Sequence, residues 1–172
     1  MTRHLASGLF GLALTLAPAF ALANGWSATP WPSASADGTR YCYLGYAEEP
    51  ASLLVIASNA YAGDFRISIN APAFGNAAEG GEVAFVFPSG WRASVPFQLF
   101  APGQFAVGLD EASFHRVLDE LGTPGALEIS AGGGRITIAV PDQLDGRIRN
   151  LRGPLPEGSP MTEPCLAQLA GG

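Results

Sequence analysis

Few side chains in this chain have the chemistry for catalysis. Beyond residue 23 there is a single histidine, His115, with Ser113 and Phe114 beside it and Asp119 four residues on. A histidine oriented by a carboxylate can serve as a general base. The same spacing also gives an ordinary i,i+4 contact on a helix edge. The second reading is preferred, because no nucleophile motif of the G-x-S-x-G kind accompanies the histidine. All nine basic residues are Arg, so no P-loop lysine exists. Gly132-Gly133-Gly134 runs into strand-like sequence, which makes it a turn and not a phosphate cradle. One histidine and two cysteines do not build a zinc site, and no D-x-D-x-D-G run offers calcium ligands. Glu48 and Glu49 are neighbours on a strand, where they point to opposite faces. A glycosidase-like carboxylate pair assembled across loops stays open. No catalytic residue, metal ligand or cofactor is assigned, and the chain is read as non-enzymatic.

The remaining reactive side chains are Cys42 and Cys165. They are too far apart for a C-x-x-C redox pair, so the expectation is one structural disulfide closing nearly the whole domain. In the chain-entropy picture such a loop contributes about 5 kcal/mol. Contact residues are more numerous. Trp91 and Arg92 follow the Pro88-Ser89-Gly90 turn and form a candidate wedge, since Trp and Arg are common interface anchors. Arg147, Arg149 and Arg152 are the only basic cluster. On a helix, Arg149 and Arg152 would share a face able to meet an anionic partner, although such a run is more often a solvated helix side. Tyr41, Tyr43 and Tyr46 are a candidate aromatic face for a small ligand.

Composition narrows the setting. The chain has 172 residues, 48% hydrophobic and 14% charged, which excludes a disordered polymer. A formal net charge of -6 argues against a nucleic-acid partner. Residues 1–23 carry Arg3 and His4, an uncharged apolar run from Leu5, Pro18, and a closing Ala21-Leu22-Ala23. That layout predicts a cleaved Sec-type export signal and a periplasmic or secreted mature chain starting at Asn24. The uncharged run ends at Ala23 and is broken by Pro18, so a membrane anchor is not expected. Losing Arg3 leaves eight arginines against fifteen acidic residues, a formal charge of -7. The mature chain suits one domain, expected as a monomer.

The elements that must position these residues are mostly strands. Residues 24–40 read as an irregular lead-in rich in Pro, Ser and Ala, with Trp26 and Trp31 docking on the domain's own surface. Residues 41–172 read as one β-rich domain with a Pro/Gly-rich C-terminal tail over 153–164. Leu53–Ala57 and Val83–Phe87 are apolar on both faces and predict covered strands. Phe65, Ile67 and Ile69 alternate with Arg66, Ser68 and Asn70, as in a half-buried strand. The strands from Val83 to Leu109 read as an antiparallel meander, and Ala101-Pro102-Gly103-Gln104 has type II turn chemistry. Phe114, Val117, Leu118 and Leu121 predict an amphipathic helix capped by Asp110 and stopped by Gly122 and Pro124. A short C-terminal helix, with Asp145 as its cap, carries Ile148 and Leu151 inward. The fold class is therefore mainly β: an antiparallel two-layer β-sandwich with one amphipathic helix and a short C-terminal helix.

The layout resembles exported proteins of the invasion-associated locus B type. The shared features are the Ala-rich leader, the early Gly25-Trp26-Ser27, a first cysteine soon after, and strands leading to a late helix–strand segment. That family usually carries further cysteines near its middle, and this chain has none there. The resemblance implies a β-rich envelope protein without catalysis. Two functions follow from the reading as a whole. The first is a non-catalytic exported protein acting by protein–protein contact with an unidentified envelope partner. The second is a module binding a small apolar or sugar ligand on the tyrosine face. Exposed aromatic rings favour the second, and buried rings favour the first.

Overall fold

A computed structural model describes residues 25–59 and 64–170; the expected export signal lies outside the described residues. The described residues build eleven strands. They are β1 (Trp26–Ala28), β2 (Ser33–Ala34), β3 (Arg40–Glu48), β4 (Ala51–Ser58), β5 (Asp64–Asn70), β6 (Glu82–Val86), β7 (Arg92–Pro96), β8 (Gln98–Ala101), β9 (Gln104–Leu109), β10 (Gly125–Ala131) and β11 (Gly134–Val140). The helices are α1 (Glu111–Leu121), α2 (Leu144–Arg152) and α3 (Cys165–Ala170). All pairings are antiparallel. Seven strands form one sheet in the order β1-β3-β4-β5-β9-β8, with β2 also on β3. Four form a second sheet in the order β11-β10-β6-β7. The expected two-layer sandwich is present.

Period-2 alternation sets which face of each sheet meets the core. From the larger sheet, Cys42, Leu44, Leu53, Val55, Ile67, Ile69, Phe105 and Val107 point inward. The smaller sheet answers with Val83, Phe85, Leu127, Ile129 and Ile138. Phe97, between β7 and β8, bridges the layers with its ring 4.5 Å from that of Phe105. Phe74 approaches the same ring at 5.6 Å. The strands of the middle region are thus not one meander. β6 and β7 cross to the second sheet before β8 and β9 return to the first. At Gly134 a Cβ would stand 1.9 Å from the Ala73 carbonyl, so only glycine lets the Pro72–Phe74 turn close over β11.

Helices cover the rest of the larger sheet's inner face. α1 buries Phe114, Val117, Leu118 and Leu121, as its period predicts, and stacks Phe114 on Phe65 of β5 with centroids 4.6 Å apart. Asp110 caps it by accepting the Ser113 N–H at 2.7 Å, and Gly122 ends it. α2 packs on β1 and β3, burying Leu144, Ile148 and Leu151. Its N-cap is Gln143 with no side-chain bond; Asp145 lies in the first turn and pairs with Arg149. α3 is a third helix, where the sequence reading has only a coil ending at Cys165. It rests on α2 and β3 with Cys165 and Leu169 buried.

The lead-in is less irregular than its composition suggests. Trp26 and Ala28 are buried, and β1 pairs with Leu44–Tyr46 along the edge of β3. The Trp26 indole N–H donates to the Ala139 carbonyl at 2.7 Å, fastening an edge strand of one sheet to an edge strand of the other. Trp31, by contrast, is exposed. Cys42 and Cys165 form the expected disulfide, with Cα atoms 6.1 Å apart and a sequence separation of 123. Among the described residues no helix is long and apolar enough to cross a membrane.

Candidate binding face

The larger sheet has a second face, and among the described residues no helix or strand lies over its β3–β4–β5 portion. The register sets Tyr43 beside Ile56 beside Arg66 across these strands, with Gly45, Leu54 and Ser68 in the next row. Leu54 is 37% exposed although it occupies the middle of a central strand. Its Cδ2 lies 2.6 Å from where a Cβ on Gly45 would be, so the glycine lets the leucine lie flat across β3. The expectation that β4 is covered on both faces is thus corrected: Leu53, Val55 and Ala57 are buried, while Leu54 and Ile56 face outward. Their apolarity belongs to an open surface.

A groove of about 490 Å³ runs along this face. Tyr41, Leu54 and Ile56 give it an apolar floor, and Ser35, Asp37, Thr39, Ser58, Asp64 and Arg66 form its rim. The rim is organised. The Ser35 hydroxyl donates to Asp37 Oδ1, and the Thr39 N–H donates to the same oxygen at 2.9 Å. Those bonds, the Ser35 hydroxyl first and the Thr39 amide second, hold the Asp37 carboxyl down to about 2. The Ser58 hydroxyl donates to Asp64 Oδ2 at 2.7 Å. Asn59 fastens the neighbouring end of β3 by accepting the Arg40 N–H at 2.7 Å.

The three tyrosines do not share one face. Tyr41 and Tyr43 stand two apart on the outer face, half-buried, with ring centroids 6.2 Å apart. Tyr46 has the opposite parity and turns inward, where its ring meets Trp26 at 5.5 Å. Its hydroxyl donates to Glu48, and burial, with that carboxylate, pushes the phenol up from its ordinary value. Period-2 counting along β3 is the signal that separates Tyr46 from the other two.

Structure also places the remaining candidates. Trp91 is half-buried, its ring 4.9 Å from that of Phe87, with the Arg116 guanidinium 5.4 Å above it. It is thus a packed residue more than a projecting wedge, while Arg92 is exposed. Arg149 pairs with Asp145 at 3.1 Å. Arg152 pairs with Asp119 and donates to the His115 carbonyl. The two arginines are spent on neighbouring carboxylates and do not form an open cationic patch. Asp119 therefore turns to Arg152, and the ring contact of His115 is edge-on to Phe114. Among the described residues no cluster of three or more His, Cys, Asp or Glu could hold a metal. Sequence reasoning missed Asp37, Leu54, Ile56, Asp64 and Arg66. The alternation of Arg66 with Ile67 and the doubly apolar β4 were the available signals. Compared with known proteins, the chain matches no family model, no curated relative and no solved structure.

Proposed function

We propose that this is a non-catalytic exported protein of the cell envelope that acts by protein–protein contact through the outer face of β3, β4 and β5. The observation that carries the reading is the strip on the outer face where exposed Leu54 lies among the half-buried Tyr41, Tyr43 and Ile56, in the middle of a sheet whose inner face packs on the core. Apolar patches rimmed by polar residues are characteristic of interaction sites. The buried disulfide fits an oxidising compartment outside the cytoplasm, and the leader-like residues 1–23 make the periplasm the proposed location. Three forms of the mature protein test the reading by pull-down from envelope extract of its own source. Wild type and Thr137→Arg, altered on the exposed face of the other sheet, should capture the same partner. Leu54→Arg, which puts a long charged side chain on the strip, should lose it. Equal capture by Leu54→Arg refutes the assignment of this face.

A second reading is supported by the groove itself. Its volume falls within the ~300–1,000 Å³ usual for small-ligand sites, and Tyr41 supplies an aromatic wall. In that reading the ligand is a small apolar molecule or a sugar. A titration with chitotetraose, followed by amide shifts at Tyr41, Leu54 and Ile56, tests it.

A further inference from the structure

Building on the protein-contact reading, we propose that the groove is a socket for one basic side chain, arginine or lysine, which the partner protein presents between apolar neighbours. The floor of Tyr41, Leu54 and Ile56 suits an aliphatic stem, and long basic side chains lay their stems on apolar surface while the charged head reaches a polar rim. At that rim stand two carboxylates, Asp37 and Asp64, that form no ion pair among the described residues. The ion pairs of the described residues are Arg116–Glu120, Arg135–Glu128, Arg149–Asp145 and Arg152–Asp119, and neither Asp37 nor Asp64 takes part.

Each carboxylate is nevertheless held in place. Asp37 accepts the Ser35 hydroxyl and the Thr39 N–H on Oδ1, and Asp64 accepts the Ser58 hydroxyl on Oδ2, and a carboxylate has more acceptor sites than these bonds use. The orientation is set before anything binds, which lowers the ordering cost of an incoming partner. Asp37 also stays ionised through the whole neutral and mildly acid range.

Charge decides which occupant fits. A neutral sugar or a purely apolar side chain would cover two carboxylates without compensating them, and an uncompensated charge removed from water is costly. A guanidinium or ammonium supplies both donors and charge. Arg66, on the same rim and without an ion pair among the described residues, restricts the socket to one cation and leaves a donor for a partner carbonyl or carboxylate. The formal charge of -6 on the whole chain speeds the approach of a basic segment.

The test uses synthetic peptides on the intact mature protein. The probe is acetyl-Ser-Leu-Arg-Leu-Ser-amide, with twins carrying Gln or Glu in place of Arg, and chitotetraose as the neutral sugar. Binding is read from amide shifts at Tyr41, Leu54 and Ile56. The Arg peptide should bind about tenfold more tightly than its Gln twin and weaken severalfold between roughly 20 and 300 mM salt. Asp64→Asn, and Asp37→Asn with Asp64→Asn, should remove most of that preference while shifts elsewhere stay in place. Should the double variant disturb the 35–39 turn, Asp64→Asn and the salt series on wild type still decide. Equal binding of the Arg and Gln twins, tighter binding of the Glu twin or of chitotetraose, or no shift at these amides overturns the inference. A natural partner lost by Leu54→Arg but kept by both Asn variants would sink this inference and leave the contact face standing. Indifference to Leu54→Arg would sink the contact face itself.

Discussion

Replacing Trp26 tests whether the first few described residues are an integral part of the fold. The indole is fully buried, meets the Tyr46 ring at a tilt, and spends its one N–H on Ala139 of the opposite sheet. A buried tryptophan hides ~200 Å² of largely apolar surface, worth about 5 kcal/mol at 25 cal/mol per Å². Large aromatic truncations in cores cost about 3–5 kcal/mol, so Trp26→Ala belongs in that range. Trp26→Phe separates the parts. It keeps most of the ring and removes the hydrogen bond. Ala139 is itself exposed, so water can reach its carbonyl once the indole N–H is gone. That moderates the penalty to about 1–2 kcal/mol. Urea denaturation followed by far-UV circular dichroism gives both numbers from midpoints at constant slope. A loss below about 1 kcal/mol for Trp26→Ala would refute the claim that β1 is a core strand, because no fully buried tryptophan is that cheap to remove.

Three further outcomes are expected. Replacing both Cys42 and Cys165 by Ala should cost about 2–5 kcal/mol in urea and raise hydrogen exchange first in α3; two free thiols in the unreduced wild type would contradict the bridge. Gly134→Ala should destabilise by roughly 1–3 kcal/mol, since its Cβ would meet the Ala73 carbonyl; an unchanged melting temperature would show that the close approach is not required. The Ser113 backbone bond holds the Asp110 carboxyl below its ordinary value, so its contribution is present above the unfolded-state pKa and is lost as pH falls through the folded one. The melting-temperature gap between wild type and Asp110→Ala should therefore be constant above about pH 5 and narrow below about pH 4, and a gap that widens in acid would disprove the cap.

What could be read in advance follows the strength of the local signal. α1 was legible because four apolar residues repeat at the helical period and a capping Asp precedes them. β5 was legible because Ile67 and Ile69 alternate with polar residues, and the disulfide because only two cysteines exist. β1 was hidden because a three-residue strand between Gly25 and Thr29 carries no period, and only the bulk of Trp26 hints at it. α3 is six residues long, too short for a helical pattern to stand out. The groove was missed for a different reason. Leu54 and Ile56 look like core residues, and a run apolar on both faces does not say whether a second layer covers both. Asp37, Asp64 and Arg66 come from a turn and a neighbouring strand, and only the register brings them to the same rim.

The bridge between the first long strand and the last helix also has a consequence in time. Cys42 emerges from synthesis long before Cys165, which stands 123 positions later in the chain. Through that interval its thiol has no partner in its own chain. A protein with more cysteines risks a wrong internal pairing at this stage and needs an isomerase to undo it. Here the second cysteine is the only other thiol, so an early oxidation can join the chain only to a different molecule. Correct pairing then depends on oxidation coming after Cys165 has been made, and on dilution of nascent chains. Disulfide shuffling within the chain contributes nothing.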